Sequence, residues 1–362
     1  IPTGTISGEI TTAISYPKGN YTIQGTVKVK NGGSLKIEAG SVITAVLTDG
    51  SDALLVENGG KLFLNGTAAL PIVFTEASKT PGSWGGIIMV GDAPIVGAKS
   101  VATATTEDGN NLPYGGTNAT HNGGTLKYVR VEYAGKKLTD NTSEMNGFSF
   151  YSVGSGTVLE NLVAYKGADD GFEFYGGTVS AKNLISYGNF DDSFDWQDGW
   201  RGDANTNWYA YQVVTGNYGM EIEAKSINNA FGPKVSNITL TRAAGTVTEG
   251  GSSANEFDAI QFKKEGNGEY TNVVISGYTT SNTTLTATAV RIQDKSTNDN
   301  QVTGGKIKML NVKINDGTSQ FAGVGTTFTV DFKGNYTTSS TATGATLTAG
   351  AWAIVDGVSL IK

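Results

Sequence analysis

A repeat of 22 residues constrains the fold of this chain more than any other feature. The segment NLVAY at Asn161 recurs as NLISY at Asn183, and ADDGFEF at Ala168 recurs as FDDSFDW at Phe190, so both offsets are 22 (183 − 161 and 190 − 168). A unit of this length has room for roughly two or three short strands and cannot enclose a core alone, so it must stack on its neighbours. Strands that stack once per coil pair in parallel. The repeat therefore predicts an all-β, single-stranded, right-handed parallel β-helix.

The same pattern extends in both directions if insertions are allowed at the turns. NGFSF precedes the repeat at Asn146, and VKNGGSLKI at Val29 is echoed by VENGGKLFL at Val56. YGMEI, DAIQF and TAVRI, which begin at Tyr218, Asp258 and Thr288, continue it downstream. Segments outside the period are interpreted as loops that bulge from the turns, where repeat folds often bind ligands. These loops are about 92–123, 136–145, 198–207, 241–256, 279–287 and 316–326.

We expect one domain over residues 1–362, because no linker divides the chain. Residues 1–24 are expected to form an N-terminal cap region, 25–315 the coils, and 316–362 the C-terminal strands and cap. The apolar run AWAIVDGVSLI near the C-terminus is expected to cover the last open edge of the stacked sheets.

Composition supports an all-β chain and excludes several classes of function. The 50 glycines among 362 residues follow no collagen-like period, and no apolar run is long enough to span a bilayer. The net charge of −7 and the lack of clustered Lys and Arg argue against a nucleic-acid partner. With no cysteine, the chain has no disulfide or thiolate site, and no motif indicates an organic cofactor. The chain begins at Ile1 without a signal-like segment, which is expected of a processed or trimmed form.

Stacking the repeats brings acidic residues together in columns. In each repeat, one strand position lies between two apolar residues that face inward, so its own side chain faces outward. In successive coils this position is occupied by Ser149, Glu173, Asp195, Glu221, Gln261 and Arg291. Two columns just before the strand place Asp169 beside Asp191 and Asp170 beside Asp192. At a spacing of about 4.8 Å, two carboxylates repel by roughly 3.5 kcal/mol at an effective dielectric constant near 20, and by about 1 kcal/mol in bulk water.

Something must offset this repulsion, and the residues leave four possibilities open. The acids can be fully solvated, take up protons, accept hydrogen bonds from turn N–H groups, or bind a cation. Ca²⁺ suits clustered carboxylates beside glycine-rich turns that expose backbone carbonyls, and its predicted ligands are Asp169, Asp170, Asp191 and Asp192. Aspartate before Gly or Ser is also the ordinary composition of a turn, which is the competing interpretation of Asp170 and Asp192.

Aromatic residues near the acids suggest a surface for sugars. Trp200 and Trp208 fall in the predicted loop QDGWRGDANTNW, where exposed rings would offer apolar faces while acids and amides bond to hydroxyl groups. The predicted binding residues on this face are Glu221, Trp200, Trp208, Tyr218, Gln261 and Asp258.

Five segments have distinctive sequences: GTVKVKNGGSLKIEAGSVI from Gly25, LPIVFT from Leu70, WGGIIMVGDAPI from Trp84, GADDGFEFYGGTV from Gly167 and FDDSFDWQDGWRG from Phe190. In these segments the chain resembles secreted and surface-anchored right-handed β-helix proteins of Gram-negative bacteria, of the Bacteroides type. The resemblance covers about residues 20–315 and implies the fold and an extracellular or outer-membrane location. More distantly, the chain resembles the pectin-lyase-like superfamily, many of whose members cleave or bind polysaccharides, so a polysaccharide or glycan is the expected partner.

Three functions remain open on these residues. The first is a monomeric protein that binds a glycan, assisted by Ca²⁺. The second is a polysaccharide lyase or glycoside hydrolase that uses Asp170, Asp192, Glu173 and Asp195, with Arg291 or a lysine as the base of a lyase. The chain lacks the Gly-His-Gly motif of pectin hydrolases, and its single histidine, His121, is expected to be a solvated loop residue. The third is a structural or adhesive module whose acids are merely solvated.

Overall fold

The repeating strands wind into stacked coils whose strands pair in parallel. The computed structural model describes residues 1–47, 52–96, 102–139, 143–251, 254–325 and 327–362. In these residues one sheet of 24 strands runs from the first coil to the last, as the predicted parallel β-helix requires. Two short antiparallel hairpins lie outside it.

The strands, in chain order, are β1 (Thr3–Ile10), β2 (Ala13–Tyr16), β3 (Asn20–Val29), β4 (Ser34–Glu38), β5 (Val42–Ala45), β6 (Ala53–Val56), β7 (Lys61–Asn65), β8 (Ile72–Glu76), β9 (Ile87–Val90), β10 (Ala104–Thr105), β11 (Pro113–Tyr114), β12 (Gly124–Glu132), β13 (Phe148–Tyr151), β14 (Val158–Tyr165), β15 (Phe172–Tyr175), β16 (Ala181–Tyr187), β17 (Phe194–Gln197), β18 (Asn205–Gln212), β19 (Met220–Ile222), β20 (Lys234–Arg242), β21 (Ile260–Phe262), β22 (Gly268–Ser276), β23 (Thr288–Ile292), β24 (Ile307–Ile314), β25 (Ser319–Gly323), β26 (Tyr336–Thr338), β27 (Ile354–Val355) and β28 (Val358–Ser359). Short helical turns occupy Lys295–Thr297, Asn298–Val302 and Ala351–Ala353.

Each coil contributes to three ladders. Ladder A contains the C-terminal half of β3 followed by β6, β9, β13, β15, β17, β19, β21, β23 and β25. Ladder B contains β2, β4, β7 and the first halves of the long strands β12, β14, β16, β18, β20, β22 and β24. Ladder C contains β5, β8 and the second halves of the same long strands.

A column of asparagines forms the corner between ladders B and C. Asn161, Asn183 and Asn207 have φ values of 57°, 59° and 58°, a left-handed conformation that Asn tolerates better than most residues. Asn183 Nδ2 donates to Asn161 Oδ1 at 3.1 Å, and Asn207 Nδ2 donates to Asn183 Oδ1 at 3.0 Å. The Asn that begins NLVAY and its repeats therefore both bends the strand and links successive coils.

The interior is filled by stacked apolar side chains. The rings of Phe148 and Phe172 lie 4.9 Å apart, and those of Phe172 and Phe194 lie 5.7 Å apart. Trp200 and Trp208 lie in the same stack. Because one-coil spacing places equivalent residues at stacking distance, the inward alternation predicted from DGFEF and its copies builds a continuous aromatic core.

Several predicted boundaries differ in the structure, and the predicted loops at 198–207 and 241–256 overlap the start of β18 and the end of β20. Residues 316–326, expected to be a loop, contain β25, which pairs with β23 and continues ladder A. Residues 1–24 contain β1 and β2, which already pair with β3 and β4 as coil strands. The helical turns at 295–302 were not predicted from the sequence. The parts of the predicted loops at 97–101, 140–142, 252–253 and 326 lie outside the described residues.

The C-terminal segment does not cover the last edge, contrary to expectation. It runs back along the outside of ladder C, where Ala345 N–H donates to Thr239 Oγ1 at 2.9 Å and Arg130 Nη1 donates to the Trp352 carbonyl at 3.1 Å. The physical reason is an outward apolar stripe on ladder C that needs a cover. The segment buries this stripe, which includes Tyr133, Val163, Tyr165, Ile185, Tyr187 and Tyr209. No helix in the described ranges is long and apolar enough to cross a membrane.

Candidate functional site

The predicted acidic column exists on ladder A. Glu173 pairs with Asp195, Asp195 with Glu221, Glu221 with Gln261, and Gln261 with Arg291, in unbroken register. Their side chains point away from the aromatic core, as the alternation predicted. We call Glu173, Asp195 and Glu221 the acidic column, and the same three with Asp169, Asp170, Asp191 and Asp192 the acidic cluster.

The outer side of the acidic column is covered rather than open. Glu173 is only 7% exposed, while Asp195 and Glu221 are intermediate. The Glu173 carboxylate accepts hydrogen bonds from Asn146 Nδ2 at 2.7 Å, from Gln197 Nε2 at 3.2 Å and from the hydroxyl of Tyr175. The sequence could not predict this cover, because its side chains come from three different coils.

The hairpin of β10 and β11 closes the cover over Tyr175. Tyr114 from this hairpin lies 5.1 Å from the ring of Tyr151 and 6.3 Å from that of Tyr175, and its hydroxyl bonds to Asp198. The insertion at 92–123 therefore does approach the acids, but it buries part of the column instead of leaving a wide groove.

The aspartates before the strand link neighbouring coils. Asp192 N–H donates to Asp170 Oδ1 at 2.8 Å, and Tyr218 N–H donates to Asp192 Oδ1 at 2.6 Å. These bonds account for one oxygen each of Asp170 and Asp192, and they match the predicted hydrogen bonds from turn N–H groups, but they join successive coils and do not close a turn within one coil.

Two carboxylate oxygens of the acidic cluster have no such donor. Asp169 is 2% exposed, and its Oδ2 has no hydrogen-bond partner within the described structure. The same holds for Asp195 Oδ1, which is inaccessible to solvent. A buried, unpaired carboxylate oxygen is costly unless a proton or a cation compensates it.

The cluster has the composition of a cation site. Three overlapping groups each bring three carboxylate oxygens within 4.8 Å of one another. These groups could hold a metal ion, and both unpaired oxygens belong to residues in them. The groups are Asp169, Asp170 and Asp191; Asp170, Glu173 and Asp195; and Asp192, Asp195 and Glu221.

The same crowding raises the pKa values of the acids. Burial, followed by repulsion from Glu107, raises the pKa of Glu173 from 4.5 to about 8. Burial, followed by repulsion from Glu249 and Glu221, raises the pKa of Asp191 from 3.8 to about 7. Burial and neighbouring carboxylates also raise the pKa of Asp195 well above its usual value. At neutral pH, several of these groups therefore retain protons unless a cation replaces them.

Lysines neutralise only one end of the column. Lys263 Nζ lies 2.6 Å from Glu221 and 3.6 Å from Glu223, and Lys264 Nζ lies 2.9 Å from Glu223. Burial opposes ionisation of Glu223, but these lysines and Lys225 outweigh it and lower its pKa. Asp195 has no ion pair among the described side chains, so the middle of the column keeps its excess of negative charge.

The predicted aromatic platform is wrong. Trp200 and Trp208 are 1% and 0% exposed, and their indole N–H groups donate to the carbonyls of Val179 and Ala181, both at 3.0 Å. A turn at Gly199 aims Trp200 back into the core, where both rings stack on Phe residues. Tyr218 is also buried, and its hydroxyl accepts a bond from Gln261 Nε2 at 2.6 Å. None of these three rings can offer a free face to a sugar.

Arg291 and Asp258 form a buried ion pair that holds the coils together. Arg291 Nε donates to Asp258 Oδ2 at 3.0 Å, and its other nitrogens donate to Asp258 Oδ1 and to the carbonyls of Gly323 and Thr286. All three guanidinium nitrogens thus donate hydrogen bonds to groups outside the acidic cluster. This geometry contradicts the predicted role of Arg291 as a base. Asp258, predicted to bind a ligand, instead pairs with Arg291 and stabilises the coil.

His121 is buried rather than solvated, contrary to the sequence interpretation. Its Nδ1 accepts a hydrogen bond from Gly154 N–H at 3.2 Å, and burial lowers its pKa. It packs beside Gly91 and Gly154, so it supports the 92–123 insertion and does not approach the acidic cluster.

Phe231 is an exposed aromatic residue that sequence reasoning missed. It lies in the segment between β19 and β20, is 41% exposed, and stacks on Arg201 with the guanidinium carbon 3.6 Å from the ring centre. The only signal in the sequence was a lone Phe among polar residues and Gly in SINNAFGPK.

Comparison with known proteins identifies the type of fold. Residues 8–355 match a family model described as a pectate-lyase like beta helix domain. No curated protein and no solved structure matches the chain.

Proposed function

The chain belongs to the pectate-lyase-like β-helix family, and from that premise we propose that it binds a polysaccharide on the outer face of ladder A, with Ca²⁺ held by the acidic cluster. The observation that carries the proposal is the pair of buried oxygens, Asp169 Oδ2 and Asp195 Oδ1, that lack donors in groups of converging carboxylates. The likeness to exported β-helix proteins supports a location outside the cell.

Ca²⁺ fits this donor set better than other common cations. It takes six to eight oxygen ligands in flexible geometry, whereas zinc prefers nitrogen and sulfur ligands, and Mg²⁺ demands a stricter octahedron. Carboxylates supply the protein part of such a shell in each converging group, for example at Asp169, Asp170 and Asp191, of which Asp191 is partly accessible. Hydroxyl or carboxylate groups of a sugar would complete it.

The first test measures Ca²⁺ binding directly. We expect calorimetry on the intact chain at pH 8 to detect a site that Asp169→Asn weakens at least tenfold, because the substitution removes a charged ligand without changing shape. The matched control is Asp331→Asn, which alters an exposed aspartate far along the chain from the cluster. Equal affinities in the wild type and both variants would refute the cation site.

The second test concerns the polysaccharide. Affinity electrophoresis in gels containing polygalacturonate or alginate should retard the wild type in Ca²⁺ more than in EDTA, and Asp169→Asn should abolish this difference. Retardation that is the same in Ca²⁺ and in EDTA would separate sugar binding from the acidic cluster. An absence of retardation with every polysaccharide would refute binding on this face.

Catalysis is the second candidate, and one observation favours it. Glu173 has a pKa of about 8 and so could keep the proton that a general acid needs at neutral pH. A lyase also requires a base that can accept a proton. Burial lowers the pKa of Lys263, but Glu221 and Glu223 outweigh burial, raise this pKa and keep the ammonium group charged. Incubation with the same polysaccharides, followed by detection of reducing ends and of unsaturated products, distinguishes an enzyme from a binding protein.

A further inference from the structure

Three adjoining cavities form a continuous groove on the outer side of ladder B. Their volumes are about 230, 310 and 230 Å³. Asp203 and Ala204 line both the first and the second cavity, and Lys234 and Glu269 line both the second and the third. The groove, which we call the lateral groove, therefore passes over the coils from Ser155 to Lys308 along the axis of the rod.

Positive and negative side chains nearly balance in the lateral groove. Lys182, Lys234 and Asp203 are exposed and make no ion pair with any residue in the described ranges, whereas Lys308 pairs with Glu269 at 3.2 Å. A polyanion gains little from such a surface, because three acids lie among its four lysines. The charged lining residues are Glu160, Lys182, Asp203, Lys234, Glu269, Lys306 and Lys308.

Hydroxyl groups add further hydrogen-bond donors and acceptors along the floor of the lateral groove. Thr206, Ser236 and Thr271 occupy equivalent positions of successive coils, and Thr206 also pairs with Lys182. Successive coils lie about 4.8 Å apart. A chain of sugar units, whose hydroxyl groups both donate and accept, can thus meet a hydroxyl group at each of these three coils.

Phe231 is an exposed aromatic residue next to one end of the groove. It lies between Ala230 and Gly232, which line the third cavity. Arg201 covers one side of its ring at 3.6 Å and fixes its orientation, while 41% of the residue stays in solvent. An exposed ring held rigidly beside polar groups is suited to stack on the apolar face of a sugar.

We propose that the lateral groove binds a neutral polysaccharide chain along the rod axis, with one sugar ring stacked on Phe231. The groove uses none of the residues of the acidic cluster, so this binding requires no cation and is separate from the proposed function on ladder A.

The test uses affinity electrophoresis of the intact chain with neutral polysaccharides, namely xyloglucan, galactomannan and hydroxyethyl cellulose, in EDTA. We expect at least one of them to retard the wild type. Phe231→Ala should weaken that binding about tenfold, the loss expected when an aromatic contact is removed. Lys234→Ala should weaken it as well. The matched control, Ile227→Ala, removes an apolar side chain of the same segment that is 70% exposed and, unlike Phe231, is not flanked by residues that line the third cavity.

The outcomes separate the two sites. Binding that survives EDTA and Asp169→Asn but is reduced by Phe231→Ala supports the lateral groove. Retardation by no neutral polysaccharide, or an equal loss in Phe231→Ala and Ile227→Ala, overturns it. Binding of a neutral chain that EDTA or Asp169→Asn abolishes also overturns it and assigns the sugar to ladder A. Thermal unfolding of each variant checks that these surface substitutions leave the fold intact.

Discussion

In the absence of divalent cations, the free energy of unfolding should fall as the pH rises from about 4.5 to 8. Burial raises the pKa of Glu173 from 4.5 to about 8 and that of Asp191 from 3.8 to about 7. A carboxyl group with a higher pKa in the folded chain binds more protons when folded than when unfolded. Its stabilising contribution is complete below the unfolded pKa and is lost as the pH rises through the folded pKa. Carboxyl groups with a lowered pKa, such as Asp294, act in the opposite direction, but below about pH 4.

The expected size of this effect follows from Glu173 alone. Its pKa rises from 4.5 to about 8, and one pKa unit corresponds to about 1.4 kcal/mol, so its ionisation lowers the free energy of unfolding by up to about 5 kcal/mol. Solvent screens this group little, because it is 7% exposed. In a chain of this length each kcal/mol moves the melting midpoint by about 2 °C or less, so the midpoint should fall by up to roughly 10 °C.

Calorimetry at three pH values in EDTA and in Ca²⁺ checks this prediction. Ca²⁺ should raise the midpoint at pH 8, where the carboxylates can ionise, and should have little effect near pH 4.5, where protons occupy them. Asp195→Asn removes the charge whose Oδ1 lacks a donor, so it should raise the midpoint at pH 8 in EDTA and reduce the response to Ca²⁺. A midpoint in EDTA that stays constant or rises between pH 4.5 and pH 8 would refute the reasoning.

Three further substitutions test the assigned structural roles, each by urea unfolding at pH 7. Arg291→Ala should cost about 3–5 kcal/mol, because it leaves Asp258 buried without its partner, and should leave polysaccharide binding unchanged. A loss of binding without a loss of stability would restore Arg291 to the site. Trp208→Ala should cost about 3–5 kcal/mol by opening a cavity in the core, with no specific effect on ligand affinity. Asn183→Ala should cost about 1–2 kcal/mol, since it loses a side chain suited to φ of 59° and its bonds to neighbouring coils, whereas Asn183→Gly should cost less.

The coil register could be predicted from the sequence because two independent signals agreed. The 22-residue offset aligned Glu173 with Asp195, and the inward alternation of Phe172 and Phe174 fixed which face they occupy. What the sequence could not supply was the cover over that face. Asn146 and Tyr114 reach Glu173 and its neighbours from distant parts of the chain, and no local pattern encodes such contacts.

The two tryptophans are a second case in which the sequence did not predict where a side chain lies. Trp200 was placed in a loop because its neighbours are Gly, Asp and Asn, and it does follow a turn. Its ring nevertheless enters the core, where its centre lies 4.3 Å from that of the Phe174 ring and 5.2 Å from that of the Trp196 ring. For Trp200, local composition predicted the backbone correctly and the direction of the side chain wrongly, whereas Trp208, predicted in the same loop, lies in strand β18.

The acidic cluster has a physical consequence that neither turn chemistry nor solvation explains. The backbone ladder fixes the separation of Glu173, Asp195 and Glu221, so these carboxylates cannot relieve their repulsion by moving apart. Within the acidic column Lys263 forms an ion pair with Glu221 but not with Asp195, which leaves protons or a cation as the means to neutralise Asp195. Protons and Ca²⁺ therefore compete for the same oxygens, and Ca²⁺ binding should release protons near neutral pH. A dependence of stability on pH and a dependence on Ca²⁺ are on this view one property of the column, and neither should occur without the other.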